Sequence, residues 1–232
     1  MNTFKKIRLV IAALASFGVL FTSCEKNELE NPDQSANNFV SLDNPYLICA
    51  GRNPGGVGFD FEYKGKKGGA NNMDNLSVED FEYDLKIRTI KGEKPDGSSG
   101  GAPFIQLHEK VKAVNYSTVD PECKGYTAFK NLTKANIKNY ALKSDDASFD
   151  ITSVKKGESG QPLMKELNKE YNKLVIGNKW REPANNKVAD DEPIWIVQTL
   201  EGKIVKFIVT QFPAKDAPTA TGYIKIEWDF VP

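Results

Sequence analysis

Histidine is nearly absent from this chain: His108 is the single one among 232 residues. The commonest hydrolytic nucleophiles work with a histidine beside a serine or cysteine, and His108 offers no Ser-His-Asp or Cys-His pattern. Cysteine is limited to Cys24, Cys49 and Cys123, and methionine to Met1, Met73 and Met164. An excess of either charge is missing too, since 31 Lys and Arg balance 31 Asp and Glu. A balanced chain has no basic field to hold nucleic acid. No apolar run reaches the roughly 20 residues of a membrane-spanning helix. The acidic stretches "DDASFD" (145–150) and "ADDEP" (189–193) read as solvated turns. The second offers weak cation donors at most, without the Gly-spaced ligands of a calcium loop.

What is present begins at the N-terminus. Lys5, Lys6 and Arg8 precede thirteen uncharged residues, Leu9 to Phe21, the layout of an export signal too short to span a bilayer. Thr22 and Ser23 before Cys24 resemble the lipobox of bacterial lipoproteins. That resemblance implies cleavage before Cys24 and acylation of its thiol and new amino group. The plainer reading is an ordinary signal peptide with an incidental cysteine. The change to polar composition falls on Cys24 itself, which favours the lipobox. Several acyl chains give stable anchorage, since each buried methylene contributes about 0.8 kcal/mol. "EKNELENPDQSANN" (25–38) holds one Leu and no aromatic residue, too little to order itself, and reads as a tether. Glu25, Glu28 and Glu30 resemble the surface-export signal of Bacteroidetes lipoproteins. The chain thus divides into a signal peptide (1–23), a lipidated tether (24–38) and one domain (39–232). Cys49 and Cys123 either form a disulfide, worth about 4 kcal/mol in the chain-entropy model, or stay separate buried thiols.

The domain is written in strands. "DFEYDLKIRTI" (80–90) alternates Phe81, Tyr83, Leu85 and Ile87 with charged residues, and "GYIKIEWDFV" (222–231) alternates Ile224, Ile226, Trp228 and Phe230 likewise. Period-2 patterning with one polar face predicts antiparallel strands wetted on one side. "PIWIVQTLEGKIVKFIVTQF" (193–212) predicts a hairpin with a two-residue loop at Glu201-Gly202. "VGFDFEYK" (57–64) and "ASFDITSV" (147–154) add shorter strands. "NPGG" (53–56) and "GEKPDGSSGGAP" (92–103) are turn-forming. Helices are predicted over 130–143 and over 162–176, where Leu163, Leu167, Tyr171 and Leu174 recur at helical spacing. The expected architecture is an all-β, two-sheet antiparallel sandwich with one or two short helices before the final hairpin.

The stretch "EPIWIVQTLEGKIVKFIVTQFPAKDAPTATGYIKIEWDFVP" resembles the HmuY family of haem-binding surface lipoproteins. An apolar strand (Ile194–Val197), an acidic-Gly turn (Glu201-Gly202), a strand with an internal Lys (Lys206) and an alternating last strand (Ile224–Phe230) carry the resemblance. Upstream, Tyr83-Asp84 stands where Trp-Asp is the commoner family form, followed by a Gly-rich loop; residues 124–175 match poorly. The resemblance implies an all-β fold and a hemophore role in iron acquisition. It places the protein at the outer-membrane surface, lipid-anchored, passing haem to a TonB-dependent receptor. It implies no enzyme activity.

Family members ligate haem iron with a pair of His or a pair of Met. With one histidine a bis-His site is excluded, and the loop "NKWREPANN" (178–186), placed at the family's second ligand, has neither type. Arg181 stands there and cannot ligate iron, because it stays protonated. Met164, in "GQPLMKEL", lies near the family's first ligand, and its thioether suits haem iron. The alternative is that Met164 fills the helix's apolar face beside Leu163 and Leu167. Met73 reads as a loop residue, and His108 as a strand-face residue that is also the other first-rank iron donor. Trp180 and Tyr171 are candidate stacking surfaces for a porphyrin or a sugar, with Trp180 the exposed platform; Trp195 reads as core. Three readings follow: a haem or porphyrin carrier, a surface module for a glycan or other apolar ligand, and a structural or adhesive lipoprotein.

Overall fold

Alternation of apolar and polar residues builds strands, and ten of them with two helices are seen among the described residues. In chain order they are β1 (Tyr46–Cys49), β2 (Val57–Phe59), β3 (Leu85–Thr89), β4 (Gly92–Glu93), β5 (Ser99–Gly100) and β6 (Pro103–Leu107). β7 (Lys112–Asn115), α1 (Gly125–Asn131), α2 (Met164–Lys173), β8 (Trp195–Gln198), β9 (Ile204–Gln211) and β10 (Tyr223–Phe230) follow. The computed structural model describes residues 45–50, 55–62, 82–181, 191–212 and 222–231, all within one unit, Asn38–Pro232. The signal segment, Cys24, the tether and Met73 lie outside the described residues.

The expected all-β sandwich is present. A five-stranded antiparallel sheet in the order β1-β10-β9-β8-β7 lies against a three-stranded antiparallel sheet in the order β2-β3-β6. Between them Ile87, Ile105, Trp195, Phe207, Ile226 and Trp228 are fully buried. Phe59 meets Trp228 edge-on at 5.1 Å, joining the two sheets. Such aromatic pairs contribute beyond their buried area. The β8–β9 hairpin forms where expected, but its loop has three residues, Leu200 to Gly202. The Gly202 N–H donates to the Thr199 carbonyl at 2.9 Å, and the Thr199 N–H donates to the Lys203 carbonyl at 2.9 Å. Gly202 takes φ +81°, the left-handed position that closes a three-residue hairpin.

Four expectations need correction. The outer sheet faces are not simply wet: α1 covers Ile194, Ile196 and Ile208 of the large sheet, and α2 covers Phe104 of the small one. Glu227, on the expected polar face of β10, is buried against Lys130 of α1. Residues 147–154 are not a strand. The Ser148 N–H donates to Asp146 Oδ1 and the Thr152 N–H to Asp150 Oδ1, both at 2.8 Å. These two side-chain turns satisfy the backbone locally, in place of a ladder. The helix expected over 130–143 lies earlier and ends at Asn131. Beyond it the Thr133 N–H bonds to Asn136 Oδ1 at 2.6 Å, and Asn136 Nδ2 donates to the Asn131 carbonyl at 2.8 Å. The turn segment 92–103 holds a small β4–β5 hairpin. Cys49 and Cys123 do not form a disulfide; Cys49 is buried beside Tyr223 and Cys123 packs against the α1 cluster.

Candidate functional site

Helix α2 supplies the wall of the site. Leu167, Tyr171 and the following Leu174 bury one face on Phe104, while Lys169–Glu166 and Lys173–Glu170 pairs at 2.8 Å line the solvent side. The Tyr171 ring stacks on Phe104, with centroids 4.7 Å apart and planes 25° apart. Between α2, the β4–β5 hairpin and residues 178–181 lies a cavity of about 520 Å³. That is within the usual size of small-molecule sites. Lys94, Gly100, Met164, Asn168, Tyr171 and Arg181 are among its lining residues.

Met164 is half-buried at the first position of α2 and lines this cavity. A Cβ on Gly92 would sit 3.0 Å from its methyl carbon, so Met164 also fills the hollow over β4. Packing residue and soft donor describe the same side chain here. Tyr171 is 4% exposed, and its hydroxyl has no hydrogen-bond partner among the described residues. Burial pushes its pKa upward, with Arg88 pulling the other way, so the phenol keeps its proton. The Arg181 guanidinium lies 5.8 Å from the Trp180 ring centre and 5.5 Å from that of Phe212. Burial lowers its pKa while Glu192 raises it. Glu192 is itself buried, which corrects its reading as part of a solvated turn, while Asp191 beside it is exposed.

Trp180 is not an exposed platform. It is 1% exposed, donates from Nε1 to the Pro103 carbonyl at 3.2 Å, and meets Phe212 edge-on at 5.2 Å. The cause is the preceding segment: Gly177 exchanges backbone bonds of 2.9 Å with Ile105 of β6, which draws the next residues onto the core. His108 lies beyond the far end of β6. Six residues separate it from Ala102 of the cavity lining, about 20 Å along an extended strand. Its Nδ1 accepts the Lys110 N–H at 3.3 Å, and its ring packs edge-on against Tyr83 at 5.5 Å. Of the two iron-donor candidates, only Met164 stands at the cavity.

Two acids that tie backbone segments together escaped the sequence reading. Asp84, on the expected polar face of β3, is 1% exposed and accepts the N–H of Phe61 at 2.9 Å and of Leu200 at 2.8 Å. It ties the small sheet to the β8–β9 turn. Burial, opposed by those two bonds and reinforced by Asp60 and Glu201, pushes its pKa up to about 7. Asp145, read as part of a solvated turn, accepts the N–H of Leu107 and of Val175, each at 2.7 Å, joining β6 to the end of α2. A single Asp before a polar run carries no sign of such bonds; only the fold brings the donors.

No family model and no curated protein matches the chain. Among solved structures, the chain is similar to one from Bacteroides vulgatus ATCC 8482, provisionally described as an HmuY_like heme binding protein. The identity is 11% and the TM-score 0.30, covering 62% of this chain and 91% of that one. A likeness at that level carries no weight for fold or function.

Proposed function

We propose that this chain is a surface lipoprotein that carries haem, or another porphyrin, in the cavity beside α2 and passes it to a TonB-dependent outer-membrane receptor. One observation supports the reading most: Met164, the soft donor suggested by the family resemblance, lines a cavity of about 520 Å³ together with Tyr171. Bound haem would supply an iron that accepts a thioether, and Met164 is the donor available to it. A thioether is a soft ligand and favours the lower-charge, ferrous ion. With one donor at the cavity among the described residues, binding is weaker than in a paired-ligand carrier. Glycan binding loses its Trp180 platform, since that ring is inside the core. An apolar ligand without iron would use the same cavity.

Haemin titration of the mature chain, oxidised and dithionite-reduced, tests the proposal. A Soret shift is expected, stronger in the reduced state, and Met164→Ala should displace or abolish it. No shift in either state ends the haem reading. A clear shift indifferent to Met164→Ala moves the donor elsewhere, and His108 is the next residue to change.

A further inference from the structure

We infer that one end of the sandwich is a proton-operated clasp. A proton held among the carboxyls of Asp84, Asp60 and Glu201 fastens the β8–β9 turn to the segment after β2. Its loss lets the turn swing away while the two sheets stay folded. The clasp lies at the His108 end of the small sheet, and the inference needs neither haem nor the cavity beside α2.

Three carboxylates meet where the two sheets close. One oxygen from each of Asp60, Asp84 and Glu201 lies within 4.8 Å of the others. Asp60 follows β2, Asp84 precedes β3, and Glu201 sits on the β8–β9 turn, so the cluster joins both sheets. Asp84 makes the connection: its Oδ2 accepts the Phe61 N–H and its Oδ1 the Leu200 N–H. Phe61 is anchored independently, fully buried with its ring 5.7 Å from that of Phe207. The turn has less to hold it. The Gly202 N–H on the Thr199 carbonyl and the Thr199 N–H on the Lys203 carbonyl close it on itself, not onto the small sheet. Lys203 reaches Glu62 at 2.6 Å, but its side chain is more than half exposed, so water and salt weaken that pair.

Charge decides when the connection holds. Carboxylates this close repel one another when all are ionised, and a proton held among them relieves the repulsion. Asp84 is the member that takes it, being 1% exposed against 5% for Asp60, while Glu201 is exposed. Burial is the main cause that raises its pKa to about 7, with Asp60 and Glu201 adding to it against the two N–H bonds. An ionised Asp84 regains water by releasing a bond, and Leu200 on the turn is the freer of its two partners. The other charged groups nearby are engaged elsewhere. Glu62 and Lys203 pair with each other, His108 turns its ring onto Tyr83 at 5.5 Å, and Glu109 acts on Tyr83. Because the closed state binds the proton more tightly than the open one, the clasp is firmest in acid. It loosens as pH rises to about 7 and changes no further beyond that.

The test is amide hydrogen exchange, followed by NMR from about pH 4.5 to about pH 8. It uses the full mature chain carrying Cys24→Ala to keep it unlipidated, and reads protection relative to an unstructured peptide at the same pH. The Leu200 amide should exchange faster than that of Phe207, which lies in β9 at the centre of the large sheet. Its protection should fall roughly a hundredfold by about pH 7 and then level off. Glu201→Gln, at an exposed position, should shrink that fall about threefold with the circular dichroism spectrum unchanged. His108→Gln should leave the fall as it is, which separates the carboxyl cluster from the imidazole. Leu200 protection equal to that of Phe207 at every pH would mean that the turn opens only with global unfolding, and overturns the inference. So does protection independent of pH, a fall that Glu201→Gln leaves intact, or one that His108→Gln abolishes.

Discussion

Tyr171 carries a buried hydroxyl that no described residue bonds, on a ring otherwise well packed against Phe104. Removing an unpaired polar atom costs no hydrogen bond, so Tyr171→Phe should leave the unfolding free energy unchanged or raise it by about 1 kcal/mol. Urea unfolding measures this, and a clear loss would mean that the hydroxyl has a partner. Asp84 makes the opposite case, with both oxygens bonded to backbone N–H groups and the pKa still raised, by burial first, to about 7. A carboxyl with a raised folded pKa binds its proton more tightly folded than unfolded. Its contribution therefore favours the native state below the unfolded value and declines as pH rises towards 7. Stability should increase from pH 8 to pH 5, with on the order of 2–4 kcal/mol from this group. Asp84→Asn should flatten that slope in denaturation curves taken across the range; an unchanged slope assigns the titration to other groups. Neither residue announces itself in the sequence. Tyr171 was legible as one face of a helix but its orphan hydroxyl was not, and the donors to Asp84 come from residues 23 and 116 positions away.

At the scale of elements, helix α1 is attached to the large sheet through Lys206. This lysine in the middle of β9 is 4% exposed and donates to the carbonyls of Phe129 and Leu132 at 2.8 and 2.7 Å, with Phe129 also below its charge at 4.9 Å. Those carbonyls belong to the C-terminal end of α1, where a cation also meets the negative end of the helix dipole. The lysine noted within the strand from family resemblance thus has a structural task. Lys206→Met should destabilise by roughly 2–4 kcal/mol by leaving two carbonyls unpaired, and should speed proteolysis within 125–143. A variant as stable and as resistant as the parent would refute the attachment. β10 was readable almost in full, because alternation of Ile224, Ile226 and Trp228 matches the inward side of a strand. Trp228 is 1% exposed and touches Phe59 across the sandwich, so Trp228→Ala should cost about 3–5 kcal/mol in chemical denaturation. A cost under 1 kcal/mol would contradict this packing. Of the two short helices, one was readable and the other was not. α2 has the long apolar stripe that period alone detects, whereas α1 has seven residues and only Gly125 and Phe129 buried.

For the molecule as a whole, attachment to the membrane is expected to depend on one residue. Cys24→Ala should shift the protein from the detergent phase to the aqueous phase, because the acyl chains have no other attachment point. Unchanged partitioning would end the lipoprotein reading. The division at Cys24 is a change of composition, the kind of property that a sequence carries without any fold. The same holds for the all-β class, the final hairpin and the apolar face of α2, since side-chain direction alternates locally along a strand and recurs every third or fourth residue along a helix. Only the tertiary structure decided which polar residues are buried, that 147–154 closes on its own side chains, and that Trp180 faces inward. It also placed Met164, Tyr171, Lys94 and Arg181 around one cavity while leaving His108 at the far end of β6. Those outcomes depend on partners distant in sequence, and local pattern holds no information about which segments will meet.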